Sequence, residues 1–251
     1  MMDFISPVDA GALRGAGLDS FDALWALELD TVDAPNTAHE GWSSVSRLDI
    51  GGVGYFLKRQ SNYLSRSLRH PLGEPTFAAE FRNICRYQRK RVPTLRAAFF
   101  AQRRIQNAFR AVLLTRALDD WQDLSGLLDQ WENLGKVQQR AALVACGHLA
   151  RQLHEAHETH GCFYPKHIFL RESPGGYEAC LIDLEKTRML FSQRGRVRDL
   201  EALIRRVGFW NEDELRCLLA AYLGEGDGNS RAINVWLRRV QTRRQHKEAQ
   251  A

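Results

Sequence analysis

The sequence predicts an α+β fold in two parts, a β-rich N-terminal part carrying one helix and a mainly helical C-terminal part. Three observations lead there. Strand-like runs occupy 42–50, 55–59, 95–105 and 109–115, and in the first of them apolar and polar residues alternate. One helical pattern, 77–90, interrupts them, with Phe77, Phe81, Ile84, Cys85 and Tyr87 at its apolar positions. After Leu118 the pattern turns helical, most plainly over 137–158, where Leu143, Leu149 and Leu153 are among the apolar positions.

Residues 1–35 read as an N-terminal helical extension of short amphipathic pieces, with a capped helical turn at 19–27. Residues 36–118 form the β-rich part. There Gly51-Gly52-Val53-Gly54 is a turn, and the strands on either side of it make a β-hairpin. The stretch 61–75 is a polar and basic connection containing Arg66 and Arg69. Val92-Pro93-Thr94 ends the helix, and Gln106-Asn107 joins the next two strands. Residues 119–251 form the helical part. It opens with a short helix at 123–131 and the long helix at 137–158. Short strands at 168–170 and 179–182 follow, around Pro174-Gly175-Gly176, and helices return from Val197.

A chain of 251 residues with 44% hydrophobic and 26% charged residues builds one large domain or two lobes around a shared cleft. Lys and Arg number 35 against 30 Asp and Glu, a balance that admits anionic partners. The five Cys are odd in number and form no CxxC pair, so reduced thiols in the cytoplasm are expected rather than a disulfide framework or a zinc site. The first residues lack a basic-then-apolar leader, and no run of 18 uncharged apolar residues exists. Neither a signal peptide nor a bilayer-spanning helix is expected.

The residues that suggest chemistry lie on both sides of the boundary. Lys58 ends the run Tyr55-Phe56-Leu57 just after a tight turn, where an ammonium suits two phosphates as a point charge. Glu80, one helix later, is placed to pair with it; an edge-strand Lys facing water is the ordinary alternative. Asp183 follows the apolar strand Ala179-Cys180-Leu181-Ile182, and a carboxylate there suits a hard divalent cation, with Glu185 as a second carboxylate. His167 stands upstream as a metal or phosphate partner. His154 and His160 fit architectural roles, and Asp199 fits bonding to loop amides. The Gly51–Gly54 run stands too close to Lys58 to cover phosphates. A cradle would lie nearer Gly41-Trp42-Ser43-Ser44, with Ser43 and Ser44 as its small residues. Neither GxGxxG nor a Walker motif occurs.

These residues resemble the lipopolysaccharide kinase family of InaA/WaaP type, a branch of the protein-kinase-like fold. Four pieces between about 41 and 208 carry the resemblance. The first two are Tyr55-Phe56-Leu57-Lys58, and Ala79-Glu80-Phe81 with Val92-Pro93-Thr94. The third runs from Leu153-His154 through His160-Gly161-Cys162-Phe163-Tyr164-Pro165-Lys166-His167-Ile168-Phe169. The last is Leu181-Ile182-Asp183-Leu184-Glu185 with Arg198-Asp199-Leu200. The resemblance implies two lobes, ATP with Mg²⁺, and phosphorylation of a heptose or Kdo hydroxyl of the lipopolysaccharide inner core. It implies that Lys58 meets the α- and β-phosphates with Glu80 orienting it, that Asp183 holds metal, and that His167 stands at the second metal-ligand position. Lys166 would hold the γ-phosphate.

Cys162 departs from the pattern, because kinase loops place the Asp that accepts the hydroxyl proton there. The alternative is therefore a non-catalytic pseudokinase that binds nucleotide or core sugar in envelope maintenance or stress response. The expected partner is the lipopolysaccharide core or another phosphorylated glycolipid, and no nucleic acid is expected. Arg231, Arg238, Arg239, Arg243, Arg244 and Lys247 surround Trp236, Leu237 and Val240 near the C-terminus. That pattern fits a basic amphipathic helix resting on the inner face of the inner membrane, or a solvated terminal helix. The stretch from Arg59 to Arg69 is a second basic surface, suited to core phosphates.

Overall fold

Gly51 and Gly52 take positive φ, 59° and 78°, and close a two-residue turn between Ile50 and Val53. Successive positive φ values suit glycine, and such turns match the twist of paired strands. The turn joins two long strands of a six-stranded antiparallel sheet. The structure is a computed structural model and describes residues 3–32, 34–38, 41–65, 73–226 and 230–248; Arg66, Arg69 and the side chain of Lys247 lie outside the description. The chain divides into two units. The first holds Met1–Tyr87 and Leu95–Asp119, the second Gln88–Thr94 and Asp120–Ala251.

The first unit contains, in order, β1 (Phe4–Ile5), α1 (Ala10–Gly15), α2 (Phe21–Ala26), β2 (Asn36–Ala38), β3 (Gly41–Ile50) and β4 (Val53–Ser61). The short pair β5 (Leu64–Ser65) and β6 (Glu74–Pro75) leads into α3 (Thr76–Arg89), whose last residues belong to the second unit; β7 (Ala97–Ile105) and β8 (Ala108–Arg116) close the first unit. The sheet order is β1-β7-β8-β4-β3-β2. Its core gathers Leu13, Phe21 and Leu24 from α1 and α2 with Tyr55, Leu57, Phe99, Val112 and Leu114 from the strands.

The described residues from 3 to 32 are therefore built into this unit rather than set apart as an extension. They supply an edge strand and part of the core. Asp9, 1% exposed, accepts from the Tyr55 hydroxyl and the Arg116 Nε, both at 2.7 Å. A buried carboxylate so paired fixes the segment to the sheet. Burial, with Asp9 beside it, pushes the Tyr55 hydroxyl up to about 12.

The second unit contains β9 (Gln122–Asp123), α4 (Leu124–Leu128), α5 (Lys136–Glu155), β10 (Glu158–Thr159), β11 (Ile168–Ser173), β12 (Gly176–Leu181), β13 (Arg188–Met189), α6 (Gln193–Val207), α7 (Glu212–Leu223) and α8 (Arg231–Glu248). Strands β12, β11 and β9 form one small sheet, and β10 pairs with β13. Helices α5 and α7 pack closely at Gly147, where a Cβ would stand 2.4 Å from the Leu218 carbonyl oxygen. The expected helix at 123–131 is shorter because Asp123 pairs with Phe169 and caps α4 through the Gly126 amide. The long helix stops at Glu155 instead of running to 158. His157 takes a φ of +59°, and Glu158, buried, binds Lys90 Nζ at 2.6 Å.

Candidate active site

Two charged pairs stand out, one in each unit. In the first unit, Lys58 on β4 donates to Glu80 Oε1 on α3 at 2.6 Å. The side chains are 17% and 5% exposed, so this pair is largely shielded from solvent. Its geometry depends on Gln60, two residues along the same strand. The Gln60 Oε1 accepts from the Thr76 hydroxyl and the Phe77 amide, at 2.9 and 2.8 Å. That bond satisfies an orphan amide in the first turn of α3 and fixes the helix against β4 one turn before Glu80. The sequence pattern did not single out Gln60. Its signal was a polar residue on the same strand face as Lys58, two positions on.

Ser43 and Ser44 do not form a loop. They lie within β3, in register with Gln60 and Arg59 of β4, and Ser43 also faces Asn36 of β2. Gly41 opens the strand, and a Cβ there would stand 2.4 Å from the Asn62 backbone, so no side chain fits. Arg59 is likewise committed. Its guanidinium donates to the Trp25 and Leu27 carbonyls at 2.9 and 2.5 Å, so it holds α2 to the sheet.

In the second unit, the loop at 160–167 is tied down at both ends. Asp199, on α6 and 1% exposed, accepts from the His160 amide at 2.8 Å and the Gly161 amide at 3.0 Å, and lies 3.4 Å from His154 Nε2. Gly161 takes a φ of +80°, and a Cβ there would stand 2.8 Å from the Lys186 carbonyl oxygen. His160 Nε2 donates to the Ile182 carbonyl at 2.9 Å, which joins the loop to the chain just before Asp183. Burial holds His160 below the ordinary histidine range. The Arg206 guanidinium packs over the Tyr164 ring at 3.6 Å, a contact with no signature in the sequence.

His167 and Asp183 form the second pair. His167 Nδ1 lies 2.9 Å from the Cys162 carbonyl oxygen, and a carbonyl only accepts, so Nδ1 carries the proton. In the neutral ring Nε2 then presents a lone pair to Asp183 Oδ2, 3.2 Å away. Burial pushes His167 down, toward that neutral form. Two acceptors facing each other call for a proton or a cation between them. Ligands about 2.1 Å from a metal and at right angles stand roughly 3 Å apart, so the spacing fits two neighbouring positions on one divalent ion. Asp183 reaches this place in a left-handed conformation, φ 56° and ψ 62°, with its side chain 45% exposed.

Among the described residues no three His, Cys, Asp or Glu side chains gather as a metal cage, so Glu185 does not join His167 and Asp183 as a third ligand. Lys166 is exposed on the same turn. Cys162 is 7% exposed, and its carbonyl also accepts from the Tyr164 amide at 2.8 Å.

Comparison with known proteins adds an independent result. The family described as "Lipopolysaccharide kinase (Kdo/WaaP) family" matches residues 22–222. The chain belongs to that family. It is 29% identical over 179 residues to Protein InaA of Escherichia coli (strain K12), covering 69% of this chain and 81% of InaA. A solved structure, WaaP in complex with acyl carrier protein, superposes with a TM-score of 0.67 at 21% identity, covering 96% of this chain and 99% of that one. The fold is thus the α+β, protein-kinase-like fold of InaA/WaaP-type kinases.

The C-terminal helix differs from expectation. Trp236, Leu237 and Val240 are buried, on the side of α8 that packs against α6 and α7. A membrane-facing and a core-facing helix share one periodicity, and here the apolar face is spent on the core. Arg238 and Arg239 remain exposed, while Arg243 approaches Glu201 at 3.5 Å. No helix among the described residues is long and apolar enough to cross a membrane.

Proposed function

We propose that the protein is an ATP-dependent kinase that transfers the γ-phosphoryl group to a heptose or Kdo hydroxyl of the lipopolysaccharide inner core. The observation that carries this reading is the shielded Lys58–Glu80 ion pair, within a chain of the lipopolysaccharide kinase family. In this reading the first unit is the N-lobe and the second the C-lobe. Glu80 keeps the Lys58 ammonium charged and aimed, and Lys58 binds the α- and β-phosphates. His167 Nε2 and Asp183 Oδ2, 3.2 Å apart, would hold Mg²⁺. A cation held there would supply positive charge against the phosphates. Lys166 steadies the γ-phosphate, and Asp199, by holding the amides of His160 and Gly161, fixes the loop that orients His167. The acceptor implies a cytoplasmic location, at the inner face of the inner membrane.

Cys162 favours a second reading, a pseudokinase that binds nucleotide or core sugar without turnover in envelope maintenance or stress response. A thiol is a poor substitute for the usual carboxylate base. Phosphoryl transfer relies mainly on positioning and charge stabilisation, which keeps the kinase reading ahead. Thermal shift with Mg-ATP, followed by transfer of labelled phosphate to core glycolipid, tests both. The kinase reading expects a raised melting temperature and labelled glycolipid. A raised melting temperature with no label supports the pseudokinase, and no shift contradicts both.

A further inference from the structure

The segment between Asp183 and α6 forms a ridge that the phosphoryl-transfer reading leaves unused. Arg188 and Met189 pair with Thr159 and Glu158, the Leu190 amide donates to the His157 carbonyl at 2.9 Å, and the Thr159 hydroxyl donates to the Arg188 carbonyl at 3.2 Å. Leu190 turns inward against Gly195, where a Cβ would stand 2.7 Å from Leu190 Cδ1. Its neighbours turn outward: Met189 is 49% exposed and Phe191 87%. Lys186, Arg188 and Arg194 are exposed along the same segment. From 186 to 198 the sequence holds five cations and no Asp or Glu.

A single exposed apolar residue needs no explanation. An anchored ridge that shows a nearly bare Phe among cations, with no acid in the run, has the chemistry of an interfacial anchor. The charge is of one sign and spread along the segment, which complements a laterally uniform anionic surface. We propose that residues 186–194 dock the protein on an anionic bilayer. Phe191 and Met189 enter the boundary between headgroups and acyl chains, and Lys186, Arg188 and Arg194 meet lipid phosphates. The ridge follows Asp183 in the chain, so docking would bring the loop's own unit to the surface that carries a glycolipid sugar. This docking stands whether or not the protein turns over ATP.

Cosedimentation of the full chain with vesicles of phosphatidylglycerol and phosphatidylethanolamine, against vesicles of phosphatidylcholine alone, tests the proposal. The anionic vesicles should be strongly preferred, and the preference should weaken as salt rises. Phe191→Ser should weaken binding about tenfold, Phe191→Leu should retain most of it, and Arg188→Ala and Arg194→Ala should cost about fivefold each. Arg238→Ala with Arg239→Ala on α8 should change little. Phe191 is too exposed for its replacement to unfold the chain, so a loss reports the contact itself. Failure of the unaltered protein to bind anionic vesicles would overturn the proposal. So would binding that survives Phe191→Ser but is lost with the α8 pair. Capture of an acidic protein through residues 186–194 with no vesicle binding would replace the membrane with a protein partner.

Discussion

The Lys58–Glu80 pair of the first unit is a closed contact, and the His167–Asp183 pair of the second is an open one. Lys58 and Glu80 carry opposite charges, lie 2.6 Å apart and are mostly buried. Each satisfies the other, so the pair stabilises the unit with no ligand present. His167 and Asp183 face each other through two acceptors in the neutral state of the ring. Such an arrangement is completed by a proton or a cation between the two acceptors. The first pair is therefore satisfied within the fold, and the second leaves two acceptors facing each other while the ring is neutral. The supports of the second pair tell the same story. Asp199, His160 and the Cys162 carbonyl are all engaged in holding the loop behind the pair.

The contrast can be broken by removing one member of each pair. Asp183→Ala should lower phosphoryl transfer on the order of a hundredfold or more, read by steady-state kinetics with labelled ATP. Because the side chain is half exposed and meets only an acceptor in the neutral state, the same change should leave the melting temperature of the nucleotide-free protein nearly unaltered. Lys58→Met should behave differently. It should weaken nucleotide binding and also cost about 2 kcal/mol of unfolding free energy, because Glu80 is left buried without its cation. Equal stability losses from the two changes would erase the distinction between a closed and an open pair.

Asp199→Asn sharpens the contrast from behind the loop. One amide partner, of His160 or Gly161, loses its acceptor, at a cost of about 1–2 kcal/mol in denaturant unfolding. The smallest effect is in pH. Burial holds His160 below its ordinary value of 6.5, so the unfolded chain takes up a proton at that site before the folded one does. The site's contribution to stability is complete above about pH 6.5 and declines as pH falls from there toward the lowered folded value. His160→Gln should flatten that part of the stability profile, and an unchanged slope would assign it to other groups.

Much of this was legible because it is local. Gly51 and Gly52 between two apolar runs announce a hairpin, and the apolar strand before Asp183 announces a carboxylate at a strand end. The approach of Glu80 to Lys58 follows from one helix laid against one strand. What was not legible depends on contacts distant in sequence. The cap that Gln60 places on α3 needs the end of β4 to meet the start of the helix. The proton on His167 Nδ1 is fixed by a carbonyl five residues away in a loop whose shape no pattern gives. Ser43 and Ser44 looked like loop residues by type, but a strand between two partners absorbs small polar residues when its backbone is fully paired. The apolar stripe of α8 read equally well as a membrane face and a core face, and packing against α6 and α7 decided it.

Cys162 is the point on which the proposed kinase reading turns, since it stands where that reading expects the carboxylate base. Single-turnover transfer of labelled γ-phosphate to a core glycolipid, comparing the natural protein with Cys162→Asp, addresses it directly. The expected result is slow transfer by the natural protein and a rate about tenfold or more higher with Asp at that position, within the range a general base contributes. Binding of Mg-ATP by both proteins with transfer by neither would contradict the assignment as a kinase.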